Sequence, residues 1–281
     1  MLDKKVVRAI IKVIKNEQNV KEYMESLSDI TRDNYEIMLA AVKRDGNTLE
    51  YASEELKNNL TLVLEALKND PYAINYVGKK LLNDKKSVVD IVSVSGESFP
   101  SLDIKWRRDR EVVYAAVNQY PLAILACDDK ELLKEKKLAL LAIKDNDTDL
   151  LEHFDYDLVR SDSELATYFI EANPSSFCEL TKELRDNYDL AMIAVSNDPD
   201  MFDYVSERLK DNKDLALELV KHDGTLLSDV SKRLRDDKDI AIEALKQDKK
   251  CLEFLGENIK QDEDKKKKRK RFNAKDWCFM N

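Results

Sequence analysis

Polar and apolar positions along the chain repeat with a period close to 25 residues. Each period opens on a residue suited to cap a helix, and eight of the nine openers are Asp or Asn. Apolar residues then recur every three or four positions, which is the spacing of one face of an α-helix. The pattern predicts a tandem repeat whose units open at Asn34, Asn59, Asp84, Asp109, Glu135, Asp162, Asn187, Asn212 and Asp237.

A second element begins roughly eleven residues after most openers, where a polar residue precedes proline or glycine. An apolar place follows in all nine units, and these residues are Leu49, Ile74, Phe99, Ile124, Leu150, Phe177, Phe202, Leu227 and Leu252. A second, mostly apolar place comes three residues later. Gly78 and Gly256 fall just beyond it, where the pattern predicts the middle of a helix. Each unit is therefore predicted to be a hairpin of two helices, each about eleven residues long.

Helices of this length are marginal alone in water, so stacking against neighbouring units must stabilise them. We expect an all-α fold, an α-solenoid of about nine to ten two-helix repeats with a 25-residue period. Residues 1–33 are predicted to form a divergent N-terminal capping hairpin and residues 34–262 the solenoid. Residues 263–281 are predicted to form a disordered basic tail.

The net charge of −9 combines an acidic body with a short basic run. The run contributes +7 and leaves −16 for the rest, a distribution that argues against nucleic acid as a partner. No stretch is long and apolar enough to span a bilayer. The four cysteines form no close pair, which indicates a reducing compartment. The run consists of Lys265, Lys266, Lys267, Lys268, Arg269, Lys270 and Arg271.

Two interpretations of the tail stand beside that of a merely solubilising segment. The basic run is typical of a nuclear localisation signal, which an import receptor binds in an acidic groove. Cys278 is the fourth residue from the end, so with the basic run it also matches a prenylation site that would hold the protein at an anionic membrane. Asn281 and Trp277 are unusual for that motif. The expected location is the cytoplasm, with the nucleus or a membrane as alternatives.

Residues 93–161 depart most from the repeat pattern and contain a basic cluster around Trp106. The cluster consists of Lys105, Arg107, Arg108 and Arg110. It is a candidate local site for an anion or an acidic peptide. The alternative is sequence drift, without a function, in a repeat that tolerates substitution. Trp106 holds a place that is Leu in other units, so we expect its ring in the core.

Catalytic chemistry has little support in the sequence. The only histidines, His153 and His222, lie nearly three units apart, and no nucleotide-binding, hydrolase or metalloprotease motif occurs. We expect no enzymatic activity, no catalytic or metal-binding residue and no cofactor. An enzyme built on the irregular middle is the remaining alternative.

Several units resemble a known family. The segments NDPYAINYVGKKLLND, NDPDMFDYVSERLKDN and HDGTLLSDVSKRLRDD are similar to the tandem repeats called domain of unknown function 4116. The resemblance covers roughly residues 33–262 and is weakest at 93–161. It implies a helical-repeat module of a kind found in intracellular bacteria and protists, with no assigned catalytic residues.

Together these observations favour a non-enzymatic binding scaffold. Its expected contact surface is formed by the solvent-facing polar places of the first helix and by the insertions near 128–135 and 152–161, which meet a protein partner. The tail would direct the protein within the cell, and an effector secreted by an intracellular bacterium would fit this picture. The alternative is a prenylated or nuclear regulator whose tail is the main functional element.

Overall fold

The computed structural model describes residues 2–247 and 249–261 of the chain. Every regular element in this part is a helix, so the prediction of an all-α fold of tandem repeats is confirmed. The chain divides into two compact units, one ending at Asp155 and the other beginning at Tyr156.

Each repeat contains a long α-helix, a 3-10 helix and a short helix, in that order. The first unit opens with three helices, Lys4–Asn16, Val20–Ser26 and Asp29–Arg32. Its long helices are Tyr35–Val42, Leu60–Asn69, Lys85–Val94, Arg110–Gln119 and Lys136–Ala142. Its 3-10 helices are Gly46–Tyr51, Pro71–Tyr76, Gly96–Ser101, Pro121–Ala126 and Thr148–His153. Its short helices are Glu54–Lys57, Lys79–Asn83, Ile104–Arg107 and Leu132–Lys134.

The second unit has the same order of elements and begins with the short helix Tyr156–Ser161. Its long helices are Ser163–Ala172, Tyr188–Asn197, Lys213–His222 and Lys238–Gln247. Its 3-10 helices are Pro174–Glu179, Pro199–Tyr204, Gly224–Ser228 and Lys249–Glu253. Its remaining short helices are Lys182–Arg185, Glu207–Lys210, Leu234–Asp236 and 257–261.

The predicted openers cap the long helices. The side chain of Asn59 accepts the N–H of Leu62 at 3.1 Å, and that of Asp84 accepts the N–H of Ser87 at 2.9 Å. Glu135, the one opener that is neither Asp nor Asn, makes no such bond, and its helix has only seven residues. The Asn and Asp openers therefore cap their helices, and the Glu opener does not, as the chemistry of their side chains predicts.

The second predicted helix of each repeat is a 3-10 helix followed by a break, rather than one continuous α-helix. A 3-10 helix has three residues per turn, so Gly46, Leu49 and Ala52 lie on one buried face. The backbone then becomes extended at Ala52 and Ser53, and Ser53 caps the short helix by accepting the N–H of Leu56. In an α-helix the same three residues would be spread over about 120° of the helix surface.

The break also explains Gly78 and Gly256, which precede short helices instead of lying in mid-helix. A Cβ on Gly78 would lie 2.2 Å from the Asn58 Cγ of the preceding repeat, and one on Gly256 would lie 2.0 Å from Asp236 Oδ1. Both glycines therefore allow two short helices to approach closely.

The core of the second unit runs continuously through its repeats, from Ala166 to Ile259. Ala194 and Ala244, small residues on the inner side of their long helices, are fully buried. The prediction that Leu252 is a core residue is wrong, because its side chain is 40% exposed. Cys251 is buried, as Ala73 and Ser98 are at the same place of their repeats, and its thiol donates to the carbonyl of Ala244 at 3.5 Å.

An extra residue in the irregular part of the first unit lies between the helix Lys136–Ala142 and Asp147, earlier than the predicted insertion at 152–161. Asn146 has a φ of 65° there, the one positive value at a non-glycine residue in the described part of the chain. Asparagine tolerates this left-handed conformation better than most side chains. The turn therefore accommodates the additional residue, and the 3-10 helix Thr148–His153 that follows has the same length as its equivalents in the first unit.

Candidate binding grooves between consecutive repeats

A backbone hydrogen bond joins neighbouring repeats at an equivalent place. The N–H of Gly78 donates to the carbonyl of Lys57 at 2.8 Å, and this bond sets one short helix beside the next. We call the accepting residue the junction residue. The other such pairs, donor first, are Asp128 with Arg107, Asp155 with Leu133, Thr181 with Arg160, Ser206 with Arg185, and Gly256 with Arg235. Five of the six junction residues are therefore basic.

Grooves open at three of these junctions, between a short helix and the following repeat. We name them the Tyr76, Tyr204 and Phe254 grooves after their aromatic residues, and their volumes are about 1080, 400 and 330 Å³. In each groove the ring lies with a basic junction residue and with the residue that begins the next short helix. An aromatic face beside a cation is a common composition of peptide-binding surfaces.

The Tyr204 groove has a guanidinium that is not fully satisfied. Arg185 Nη1 donates to the carbonyl of Tyr204 at 3.4 Å, but its Nε is buried and donates to no described atom. Arg32 and Arg107, each the last residue of a short helix, have Nε atoms in the same condition. A buried donor without an acceptor costs about 1–3 kcal/mol, so each of these guanidinium groups keeps unused hydrogen-bonding capacity.

Side-chain contacts reinforce the junctions of the second unit. Asp186 accepts from the hydroxyl of Ser206, and Arg208 Nε donates to it at 3.0 Å. One repeat later, Asp211 accepts from Ser231 and from Arg233 in the same way. The hydroxyl first, and then the guanidinium, lowers the pKa of each aspartate below its usual value. These contacts therefore stabilise the fold at neutral pH and weaken as acid protonates the carboxylates.

Four segments of the chain match a family model described as Domain of unknown function (DUF4116), at residues 34–82, 59–107, 162–210 and 212–260. The chain belongs to this family. Each match spans two 25-residue repeats, and those at 34–82, 162–210 and 212–260 each contain one junction bond. No curated protein matches the chain, and no solved structure matches it.

The three grooves occupy one position in the DUF4116 unit. Tyr76, Tyr204 and Phe254 lie 42 residues after the first residue of the matches that begin at 34, 162 and 212. The match at 59–107 has Ser101 at that position. A DUF4116 unit therefore places a ring in the groove in three of the four cases.

The stretch predicted to be irregular from residue 93 follows the DUF4116 pattern as far as residue 107. Pro100 lies inside the 3-10 helix Gly96–Ser101, whose bounds match those of its equivalents. A proline removes only one N–H from so short a helix, so the helix persists. The departure from the family pattern begins after residue 107.

The predicted basic cluster contacts several neighbouring elements. Lys105 Nζ donates to Asn83 Oδ1 at 2.9 Å and lies 4.7 Å from the centroid of the Trp106 ring. Arg107 pairs with Asp128 at 3.2 Å. Arg108 is exposed and forms no ion pair with the described residues. The site predicted for an anion stays a prediction, and of these cations Arg108 is the one most open to a ligand.

Arg110 is part of a separate contact. It pairs with Glu135 and lies 5.1 Å from the centroid of the Tyr114 ring, whose hydroxyl donates to Glu135 at 2.6 Å. Burial, and then this hydrogen bond, raises the pKa of Tyr114 to about 12. The three residues join two successive long helices.

Trp106 lies in the core as expected. Its side chain is buried, and its indole N–H donates to the carbonyl of Leu82 at 2.8 Å. The ring therefore packs as Leu56 does in its own repeat and also makes a hydrogen bond to the preceding repeat.

The predicted tail features, Cys278 and the run from Lys265 to Arg271, lie outside the described residues. Within the described ranges no three His, Cys, Asp or Glu side chains are arranged to hold a metal ion. None of the described helices combines the length and apolar composition needed to cross a bilayer. The Tyr76, Tyr204 and Phe254 grooves are the best-defined candidate binding sites in the described part of the chain.

Proposed function

We propose that this DUF4116 protein is a binding scaffold that holds extended segments of partner proteins in the grooves between its repeats. The observation that carries the proposal is the recurrence of an aromatic ring beside a basic junction residue at Tyr76, Tyr204 and Phe254. Packing of an isolated core does not require an exposed ring, yet Tyr204 is 44% exposed. The proposed function is recognition of partner proteins, not catalysis of a reaction.

The spacing of the junctions suits an extended peptide. Packed helices lie about 8–10 Å apart, and an extended chain advances about 3.3 Å per residue. Roughly three peptide residues would therefore pass each junction. Because the Tyr204 and Phe254 grooves are two repeats apart, about six residues would separate the side chains that enter them. Since the scaffold is already ordered by its own stacking, binding would cost it little conformational entropy.

The test uses peptides selected from a random display library for binding to the full chain. For peptides bound at the Tyr204 groove, Tyr204→Ala is expected to lower affinity about 30-fold, or about 2 kcal/mol, because the ring is the apolar anchor. Arg185→Gln is expected to lower it about tenfold. Fluorescence anisotropy with labelled peptides measures both effects.

Tyr188→Ala is the matched control, because this tyrosine is 37% exposed but lies at the start of a long helix, outside the groove. Its affinity should stay within about twofold of the parent chain. Equal losses in Tyr188→Ala and Tyr204→Ala, or a library that yields no binder, would contradict the proposal.

We also propose that the basic run from Lys265 to Arg271 directs the protein to the nucleus of a eukaryotic cell. The support is the sequence itself, in which seven successive cations follow an acidic body. Replacing the run with glutamines is expected to abolish nuclear accumulation of a fluorescent fusion. Unchanged accumulation would rule the proposal out.

A further inference from the structure

One junction of the first unit differs from the others in being apolar. Ile104 is 49% exposed at the start of its short helix, and Leu125 is 51% exposed in the next 3-10 helix. Their equivalents at the three grooves are polar or charged and line those grooves, as Glu54 and Asn75 do at Tyr76. We call the surface of Ile104, Leu122 and Leu125 the apolar junction.

Leu122 belongs to the same surface. It is 38% exposed, and it precedes Leu125 by three residues in the 3-10 helix Pro121–Ala126. Residues three apart in a 3-10 helix lie one above the other, so the two leucines share a face. Three large apolar side chains exposed at one junction are more than the isolated exposed residues of an ordinary surface.

The apolar junction is bordered by Arg108, which is exposed and forms no ion pair with the described residues. Lys105 bonds to Asn83 of the preceding repeat and so lies toward the preceding junction. Arg107 pairs with Asp128, and its Nε is buried without an acceptor. The residues of the second unit that are equivalent to Arg108 are the acids Asp186, Asp211 and Asp236. The charge at this position of the repeat is therefore reversed at Arg108.

The acids beside the junction are already engaged. Asp128 pairs with Arg107, and the carboxylate of Asp129 accepts the N–H of Glu131 at 2.9 Å. By its register, Asp103 faces the preceding junction, because the residues equivalent to it line the groove on that side, as Gly78 does. Arg108 therefore keeps a free guanidinium at this junction among the described residues, although the whole chain is acidic.

We propose that the apolar junction docks an acidic segment of a partner protein, whose apolar side chains cover Ile104, Leu122 and Leu125 and one of whose carboxylates pairs with Arg108. This inference rests on the proposed scaffold function and names the partner chemistry for one of its junctions. Apolar anchors provide affinity, and the charges select the partner.

The experiment selects peptides from a random display library on the full chain, once with the parent protein and once with Leu125→Asp. The parent is expected to yield peptides rich in Asp and Glu with two or three apolar residues. Their affinity should fall at least tenfold with Leu125→Asp or Ile104→Asp and at least tenfold with Arg108→Glu. Ile242→Asp is the control, since Ile242 is 56% exposed in the other unit, and it should change affinity less than twofold.

All four positions are exposed, so circular dichroism and the thermal midpoint of each variant should match those of the parent. A selection without acidic peptides that lose affinity in Leu125→Asp would overturn the inference. If that selection still contained peptides that depend on Tyr204 and Arg185, the scaffold function would stand. A dimer of the full chain that Leu125→Asp converts to monomer would show a second copy as the occupant and would overturn it as well.

Discussion

Replacing Phe99 with alanine is expected to lower the free energy of unfolding of the first unit by about 3–5 kcal/mol. The ring is fully buried in the 3-10 helix Gly96–Ser101, at the place that is apolar in every repeat. Its removal leaves a cavity that the flanking long helices can fill only in part, because each is fixed by its own neighbours. Urea denaturation followed by circular dichroism measures the loss.

Tyr72→Ala is the matched control, because this aromatic side chain in the preceding 3-10 helix is 73% exposed. Its effect should be within about 0.5 kcal/mol of zero. Native-state hydrogen exchange shows which repeats lose stability, since stability in a repeat protein depends on contacts between nearest neighbours. Phe99→Ala should remove protection first in the repeats that contact residue 99. Similar effects of the two substitutions would contradict the assigned core.

Gly46→Ala is expected to destabilise the first unit by about 2–3 kcal/mol, although it adds a single methyl group. A Cβ at this position would lie 2.3 Å from the carbonyl oxygen of Ala66 and 3.0 Å from the backbone N of Asp70. Both atoms belong to the backbone of the next repeat, so relief requires the two repeats to move apart. That movement would also strain the bond from the Gly46 N–H to Asn69 Oδ1, now 2.8 Å.

Glu97→Ala provides the comparison, because Glu97 follows the equivalent glycine of the 3-10 helix Gly96–Ser101 and is exposed. It should change stability by less than about 0.5 kcal/mol. Thermal unfolding of the two variants under the same conditions measures the difference. If Gly46→Ala were neutral or stabilising, the close approach of neighbouring repeats at this glycine would be wrong.

The period and the long helices could be predicted from the sequence because capping chemistry is local. A short polar side chain such as that of Asn59 satisfies N–H groups within its own first turn, so its position marks the helix start wherever it occurs. The exception at Glu135 is equally local, since glutamate is a poorer cap.

The sequence also contains a signal for the 3-10 helix that follows each long helix, but the same signal fits an α-helix. The spacing of three from Gly46 to Leu49 to Ala52 is the period of a 3-10 helix, and an α-helix tolerates the same spacing on one face. The exposure of Leu252 had no local sign in the sequence, because the residues at this place are apolar in all nine units.

The grooves could not be predicted from one repeat, because each is made by two. Arg185 and Tyr204 are 19 residues apart and meet through the bond that joins their backbones at Ser206. The recurrence of an aromatic residue two places before Gly78, Ser206 and Gly256 was visible in the sequence, but only the break before the short helix shows that the ring faces a groove. The sequence instead suggested the polar faces of the long helices as the contact surface.

Hydrogen exchange of the full chain with and without a saturating selected peptide tests the central claim, that partners bind at the junctions between repeats. The account predicts slower exchange in residues 203–210 or in the equivalent segments 75–82 and 125–132, with the long helix Tyr188–Asn197 unchanged. Protection confined to the outer faces of the long helices, with these junction segments unchanged, would contradict it.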